Sequence, residues 1–109
     1  MVQKTCQTVD IKIYIAGCVQ VAKQRCRGFC LDGFCVSVTE TEFVYTFGAE
    51  KGVVIGIINY PRFPETPDSL FEKAVQLAHV LRTDLLQSSF TVTSSHHETL
   101  YYSVREDSK

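Results

Sequence analysis

The sequence predicts an α+β fold of the ferredoxin-like type, a split βαβ sandwich with two helices on one face of an antiparallel sheet. Three observations predict it: an alternating apolar strand leading into an amphipathic helix over residues 18–31, an apolar strand over residues 53–58, and a second helix that begins at a capping motif. The order β-α-β(β)-β-α-β places the first and third main strands in the centre of the sheet. Irregular additions are expected around residues 39–47 and 94–104.

The first strand is predicted from Ile11, Ile13 and Ile15, which share one face, while Lys12 and Tyr14 occupy the other. A period of two residues is typical of a strand with one buried face.

The first helix is predicted over residues 18–31 because apolar residues recur there at intervals of three and four. Asp32 and Gly33 close it. The apolar stripe consists of Cys18, Ala22, Cys26 and Phe29 or Cys30. We interpret the cysteines of this stripe as core residues, since free cysteine is usually buried.

The segment that follows contains two alternating stretches of opposite phase, one around Val36 and one around Phe43. A bulge or a turn is predicted near Glu40, because a slip of one residue exchanges the two faces of a strand. Residues 48–52 are interpreted as the hairpin connection into the strand over residues 53–58. That strand is apolar on both faces and is therefore predicted to be central.

The second helix is predicted to begin with Thr66 as its N-cap and Pro67 as its first residue, and to run to about Gln87. Residues 90–93 and 99–104 predict further strands. Residues 105–109 form a polar tail.

Composition indicates one globular domain over residues 1–109, because a chain of 109 residues with 45% hydrophobic residues can bury a core. The 11 basic and 12 acidic residues are scattered, so nucleic acid is not expected as a partner. No apolar run approaches the roughly 18 to 20 residues of a membrane span, and no signal-peptide core is present. We expect a cytoplasmic protein with no membrane partner. The five cysteines, an odd number, also fit reduced thiols in a cytosol better than a set of disulfides.

The loop from Asn59 to Pro67 is the first candidate binding site. Its three prolines restrict the backbone, so neighbouring side chains lose little entropy when they bind. The candidate partner-binding residues are Tyr60, Arg62 and Phe63, of the types enriched at interface centres. The alternative is that these aromatics fold back as a lid over the core.

The junction at Gly17 and Cys18 is the second candidate site, for a small ligand. A strand that runs into a helix at a glycine would aim backbone N–H groups at an anion. Residues 12–17 are also similar to the opening strand of nucleoside deoxyribosyltransferase-like proteins. No later position provides that family's catalytic glutamate, so the resemblance implies no reaction.

No catalytic residue, cofactor or metal is predicted. The cysteines Cys26, Cys30 and Cys35 could form a zinc site with His96 or His97, but no CxxC pair supports this alternative. The two histidines lie in a serine-flanked turn and are interpreted as solvated.

Residues 13–17, 52–56 and 59–64 together resemble small tailed-phage proteins of unassigned activity. The resemblance implies a modulator of a host or viral component, such as an inhibitor of host defence, and it assigns no functional residue. Because no catalytic motif is present, the sequence predicts a non-enzymatic interaction protein that binds a protein partner and forms a homodimer. The alternative is a small-molecule or nucleotide-binding protein or enzyme that uses the helix N-terminus at Gly17.

Overall fold

The computed structural model describes residues 1–30 and 34–105. The elements among them are β1 (Asp10–Ala16), α1 (Val19–Phe29), β2 (Ser37–Tyr45), β3 (Gly48–Ile58), α2 (Pro67–Asp84), β4 (Ser89–Ser94) and β5 (Leu100–Ser103). The strands form one sheet in the order β2-β3-β1-β4-β5, with every neighbouring pair antiparallel. This confirms the predicted ferredoxin-like α+β fold, in which β1 and β3 are interior strands and β5 is an added edge strand.

The core lies between the sheet and the two helices. Ile11, Ile13 and Ile15 of β1 are buried and pair with the buried face of β3. Full burial of one such side chain stabilises a fold by about 1.5–3 kcal/mol relative to leaving it exposed. From α2, the residues that complete this core are Leu70, Ala74, Leu77, Ala78 and Leu81.

Helix α2 begins as predicted, because the Thr66 hydroxyl accepts a hydrogen bond from the Ser69 N–H at 3.1 Å and Pro67 occupies the first turn. It ends at Asp84 and not near Gln87, since Leu86 adopts a positive φ of 58° that ends the helix. Neither of the described helices combines the length and the apolarity needed to cross a membrane.

Helix α1 lies within the predicted range and buries Ala22 and Cys26. The expectation that Cys18 belongs to the buried stripe is wrong, because Cys18 is the N-cap residue and is exposed. Cys30, the C-cap residue, is half-buried. The predicted closing residues Asp32 and Gly33 lie outside the described residues.

The hairpin formed by β2 and β3 corrects the prediction near Glu40. The two strands pair over the whole of β2 without a bulge, and the connecting turn is at Thr46 and Phe47. The apolar pattern changes phase because Val38 faces the helices, whereas Phe43, five positions later, lies on the opposite face and covers Gly52. A change of phase in the apolar pattern of a strand can therefore mean that other parts of the protein cover a different face of that strand.

Candidate functional site

An open groove of about 680 Å³ runs between the N-terminal half of α2 and the turn that follows β4. We call it the α2 groove; its main lining residues are Asp68, Phe71, Glu72, Val75, His97 and Leu100. Small-molecule sites typically have volumes of roughly 300–1,000 Å³. The α2 groove has the dimensions of a site for a small molecule.

A pair of stacked rings forms the aromatic part of the α2 groove. The ring of Phe71 lies 4.3 Å from the His97 imidazole, centroid to centroid, with 16° between the ring planes. Phe71 is held at this position because it is half-buried and packs against the core from α2. Each ring covers one face of the other, and a planar heterocycle can stack on an outer face of the pair.

Hydrogen bonds at both ring nitrogens fix the orientation of His97. Its Nε2 lies 2.7 Å from Asp68 Oδ1, and its Nδ1 lies 2.9 Å from Ser94 Oγ. Because an ionised carboxylate only accepts hydrogen bonds, Nε2 carries the proton and, in a neutral ring, Nδ1 accepts from the Ser94 hydroxyl. The imidazole is thus an oriented group and not the freely solvated side chain that the sequence predicted.

The α2 groove has a negative charge. Asp68 and Glu72, one helical turn apart, are the carboxylates among its lining residues. Within the described residues Glu72 forms no ion pair, whereas Asp68 is bound to His97. A cationic ligand would gain from this field, and an anionic ligand would be repelled.

A second cavity, of about 390 Å³, lies between α1 and the start of β2. We call it the α1–β2 cavity, and among the described residues that line it the charged ones are Lys23 and Arg27. The two cavities therefore differ in charge, which separates the ligands that each can accept.

The structure brings Tyr60, Arg62 and Phe63 together in one tight turn. The Phe63 N–H donates to the Tyr60 carbonyl at 2.9 Å, and the Arg62 guanidinium lies 5.5 Å from the centre of the Phe63 ring. Arg62 and Phe63 are exposed and Tyr60 is half-buried. A hydrogen bond with Cys35 raises the pKa of the Tyr60 hydroxyl, and burial adds to the shift. None of the three lines the α2 groove, and their role in partner binding stays a prediction.

Asn59 fixes the start of this loop from inside the protein. Its side-chain amide donates to the Gln7 carbonyl at 2.8 Å and accepts from the Glu65 N–H at 2.9 Å. Asn59 is only 7% exposed, so these bonds satisfy a polar group that would be costly to bury unpaired.

The geometry at Gly17 and Cys18 gives Gly17 a packing role. Its φ is +134°, its N–H donates to the Lys51 carbonyl at 3.0 Å, and a Cβ added there would lie 2.9 Å from Leu85. The amide is therefore already bonded, and only glycine fits the contact. Ligand binding at Gly17 and Cys18 stays a prediction.

The sequence did not identify the residues that form the α2 groove. The helical spacing of Asp68 and Glu72 was visible, and so was the pair of histidines. The contact between them depends on the return of the chain after β4 to the side of α2, which no local pattern indicates.

No protein-family model matches this chain, and no curated protein matches it. Two solved structures are similar to it. A phage SAM lyase in complex with S-methyl-5'-thioadenosine is 20% identical, with a TM-score of 0.71 over 95% of both chains. A phage SAM lyase in the apo state is 17% identical, with a TM-score of 0.64 over 91% of both chains.

This similarity shows a common fold, and it contradicts the prediction of a non-enzymatic interaction protein that binds a protein partner. Both neighbours are SAM lyases, which agrees better with the alternative, a small-molecule or nucleotide-binding protein or enzyme, although nothing tests the use of the helix N-terminus at Gly17. The prediction was wrong because it took the lack of a catalytic motif as evidence, although an active site can be assembled from scattered side chains. The phage origin of the neighbours agrees with the resemblance to tailed-phage proteins.

Proposed function

We propose that this chain is a small enzyme that binds S-adenosylmethionine (SAM) and cleaves it to release S-methyl-5'-thioadenosine. The observation that carries the proposal is the similarity, over 95% of both chains, to a SAM lyase in complex with S-methyl-5'-thioadenosine. We assign the binding site to the α2 groove because of its shape and charge. The similarity, at 20% sequence identity, does not itself locate the site.

The chemistry of SAM fits the α2 groove in two respects. Its adenine is planar and would stack on Phe71 and His97, an interaction worth about 1–3 kcal/mol per base. Its sulfonium is positively charged and would lie near Asp68 and Glu72. The α1–β2 cavity, with Lys23 and Arg27 among its lining residues, is unsuited to a sulfonium.

Release of S-methyl-5'-thioadenosine requires cleavage of the bond between the sulfonium sulfur and the Cγ atom of the amino-acid chain. The electron pair stays on sulfur, which becomes neutral. Two routes account for all atoms of the substrate without water. In the first, the substrate's carboxylate attacks Cγ and closes a lactone. In the second, a base takes a proton from the amino-acid chain of SAM and leaves an alkene. The two four-carbon products are isomers of equal mass, and proton NMR distinguishes them because only the alkene has vinyl protons.

The carboxylates of the α2 groove have a binding role in this scheme. The positive charge is larger in SAM than in the transition state, so attraction to Glu72 lowers the energy of the substrate more. Acceleration would have to come from orientation, because holding the reacting atoms in line can replace a large entropic cost. Phe71 and His97 would supply it by fixing the adenosyl group.

Equilibrium dialysis with a non-cleavable SAM analogue, in which a protonated amine replaces the sulfonium, and with S-methyl-5'-thioadenosine tests this assignment. We expect Glu72→Gln to weaken binding of the cationic analogue about tenfold, since a bond to a charged group contributes about 1.5–3 kcal/mol, and to change binding of the neutral product less than threefold. Glu50→Gln, an exposed carboxylate on β3, is the matched control. Equal loss of both ligands, or no saturable binding of either, would contradict the assignment.

The homodimer and the cytoplasmic location remain proposals. At the end of the β2–β3 hairpin, Val44, Tyr45 and Phe47 expose 78%, 55% and 103% of their surface. A second copy of the chain could cover the exposed apolar side chains on either face of this hairpin. Light scattering would give the solution mass, and a monomer at all concentrations would argue against the dimer.

A further inference from the structure

The α1–β2 cavity combines an apolar floor with a cationic rim. Lys23, Cys26, Arg27 and Cys30 follow one another at helical spacing along α1 and line one wall. The other wall comes from the segment before and at the start of β2, namely Phe34, Cys35, Val36 and Val38. Lys23 and Arg27 are exposed, whereas Cys26 is buried and Phe34 is half-buried.

The two cations of the rim are positioned to share an anion. Lys23 and Arg27 are one helical turn apart, and like charges at this spacing repel each other and destabilise a helix. In the described part of the chain, neither forms an ion pair with a carboxylate. Arg25, on another face of the same helix, does pair with Asp84.

The thiols of the floor are suited to apolar contact. Burial, with a smaller contribution from Cys30, raises the pKa of the Cys26 thiol to about 11. Burial also raises the pKa of Cys30. Both thiols are therefore protonated near neutral pH, and a protonated buried thiol behaves as a small hydrophobic group. Among residues 1–30 and 34–105, no three His, Cys, Asp or Glu side chains are arranged to hold a metal ion.

We propose that the α1–β2 cavity binds a small amphiphilic carboxylate, with its anionic head between Lys23 and Arg27 and its alkyl chain against Phe34, Val36 and Val38. The head would relieve the repulsion between the two cations. Each methylene of the alkyl chain that leaves water strengthens the binding. This site is separate from the α2 groove and does not depend on the function proposed for it.

Octanoate is a suitable probe, with octan-1-ol and octyltrimethylammonium as neutral and cationic analogues of the same chain length. In a titration followed by amide NMR shifts, we expect octanoate to bind saturably and at least about tenfold more tightly than either analogue. The shifts should centre on Cys26, Phe34 and Val38. Butyrate should bind at least about tenfold more weakly than octanoate, because four methylenes fewer are buried.

The double variant Lys23→Gln with Arg27→Gln should weaken octanoate binding at least about tenfold, and its binding of octan-1-ol should stay within about twofold of the unmodified protein. Lys51→Gln, which removes an exposed cation on β3, is the matched control and should bind as the unmodified protein does. Both variants change exposed side chains, and circular dichroism would establish that they fold. Equal binding of octanoate and octan-1-ol, shifts centred elsewhere, or undiminished binding by the double variant would overturn the proposal.

Discussion

The phenyl ring of Phe71 on α2 lies nearly parallel to the imidazole of His97, with the ring centres 4.3 Å apart. This contact joins the helix to the turn after β4 and gives the α2 groove its flat wall. The Nε2 atom of the same imidazole lies 2.7 Å from Asp68 Oδ1. This hydrogen bond keeps the carboxylate next to the stacked rings.

Replacing Phe71 by Leu tests the stacking surface. Leucine keeps most of the apolar contact with the core but removes the ring, so we expect binding of S-methyl-5'-thioadenosine to weaken about 5- to 30-fold, as the loss of a base stack of 1–2 kcal/mol predicts. Isothermal titration calorimetry measures this. Phe63→Leu makes the same change at a half-exposed ring outside the α2 groove and should leave the affinity unchanged. If both variants bind like the unmodified protein, adenine does not stack on Phe71.

Two glycine-to-alanine changes separate a packing role from a ligand role at Gly17. Gly17→Ala should lower the free energy of unfolding by about 1–3 kcal/mol, because the backbone there has a φ of +134° and Leu85 blocks a side chain. Gly28→Ala, in α1 with open space around it, should raise it by about 0.5–1 kcal/mol. Urea denaturation gives both values. A Gly17→Ala protein of unchanged stability that no longer binds SAM would favour the ligand site at the helix N-terminus.

The carboxyl of Glu65 should make the protein more sensitive to acid. Burial alone would raise its pKa, but hydrogen bonds from Lys73 and Ser69 outweigh burial and lower the pKa below its ordinary value of 4.5. The stabilisation is therefore present above pH 4.5 and is lost as the pH falls through the lowered value. Because the side chains of Glu65 and Lys73 are 23% and 41% exposed, solvent limits the effect to about 1 kcal/mol or less.

Urea denaturation at pH 7 and pH 3 of the unmodified protein and of Glu65→Gln measures this effect. The variant should be less stable at pH 7 and should lose less stability on acidification. Glu40→Gln, an exposed carboxylate on β2, should follow the unmodified protein at both pH values. Parallel acid sensitivity of all three proteins would argue against the role of Glu65.

The thiols should differ in reactivity according to their surroundings. At pH 8, iodoacetamide should modify the exposed Cys18 and Cys35 first, because the thiolate is the reactive form and Cys26 is buried with a pKa near 11. Raising the pH from 9 towards 11 should lower the stability of the fold, since the unfolded chain ionises this thiol at a lower pH than the native chain does. Peptide mass spectrometry after timed quenching gives the rates, and a Cys26 that reacts as fast as Cys18 would contradict the burial described here.

The fold could be predicted because its signals are local. The alternation of Ile11, Ile13 and Ile15 marked a strand with one buried face, and Thr66 with Pro67 marked the start of α2. The change of phase before Phe43 was wrongly interpreted as a bulge or a turn because the sequence does not show which face of the hairpin the helices cover.

The α2 groove could not be predicted for a related reason. Asp68 and His97 are far apart in the chain, and only the packing of the turn after β4 against α2 brings them within 2.7 Å. Alone, each has an ordinary explanation: Asp68 is an acid in the first turn of a helix, and His97 is a solvated loop histidine. The proposed site depends on such non-local contacts, whereas the loop at Tyr60 is visible in the sequence as a local motif.

The most direct test of the proposed function is to incubate the purified protein with SAM and follow S-methyl-5'-thioadenosine by liquid chromatography and mass spectrometry. A blank without protein gives the spontaneous breakdown of SAM, and the Phe71→Leu and Glu72→Gln variants give the dependence on the α2 groove. We predict many turnovers per protein molecule, a four-carbon product in equal amount, no oxygen taken from labelled water, and, at SAM concentrations below saturation, slower release by both variants. A rate no greater than that of the blank, at SAM concentrations that saturate binding, would contradict the proposal that this chain cleaves SAM.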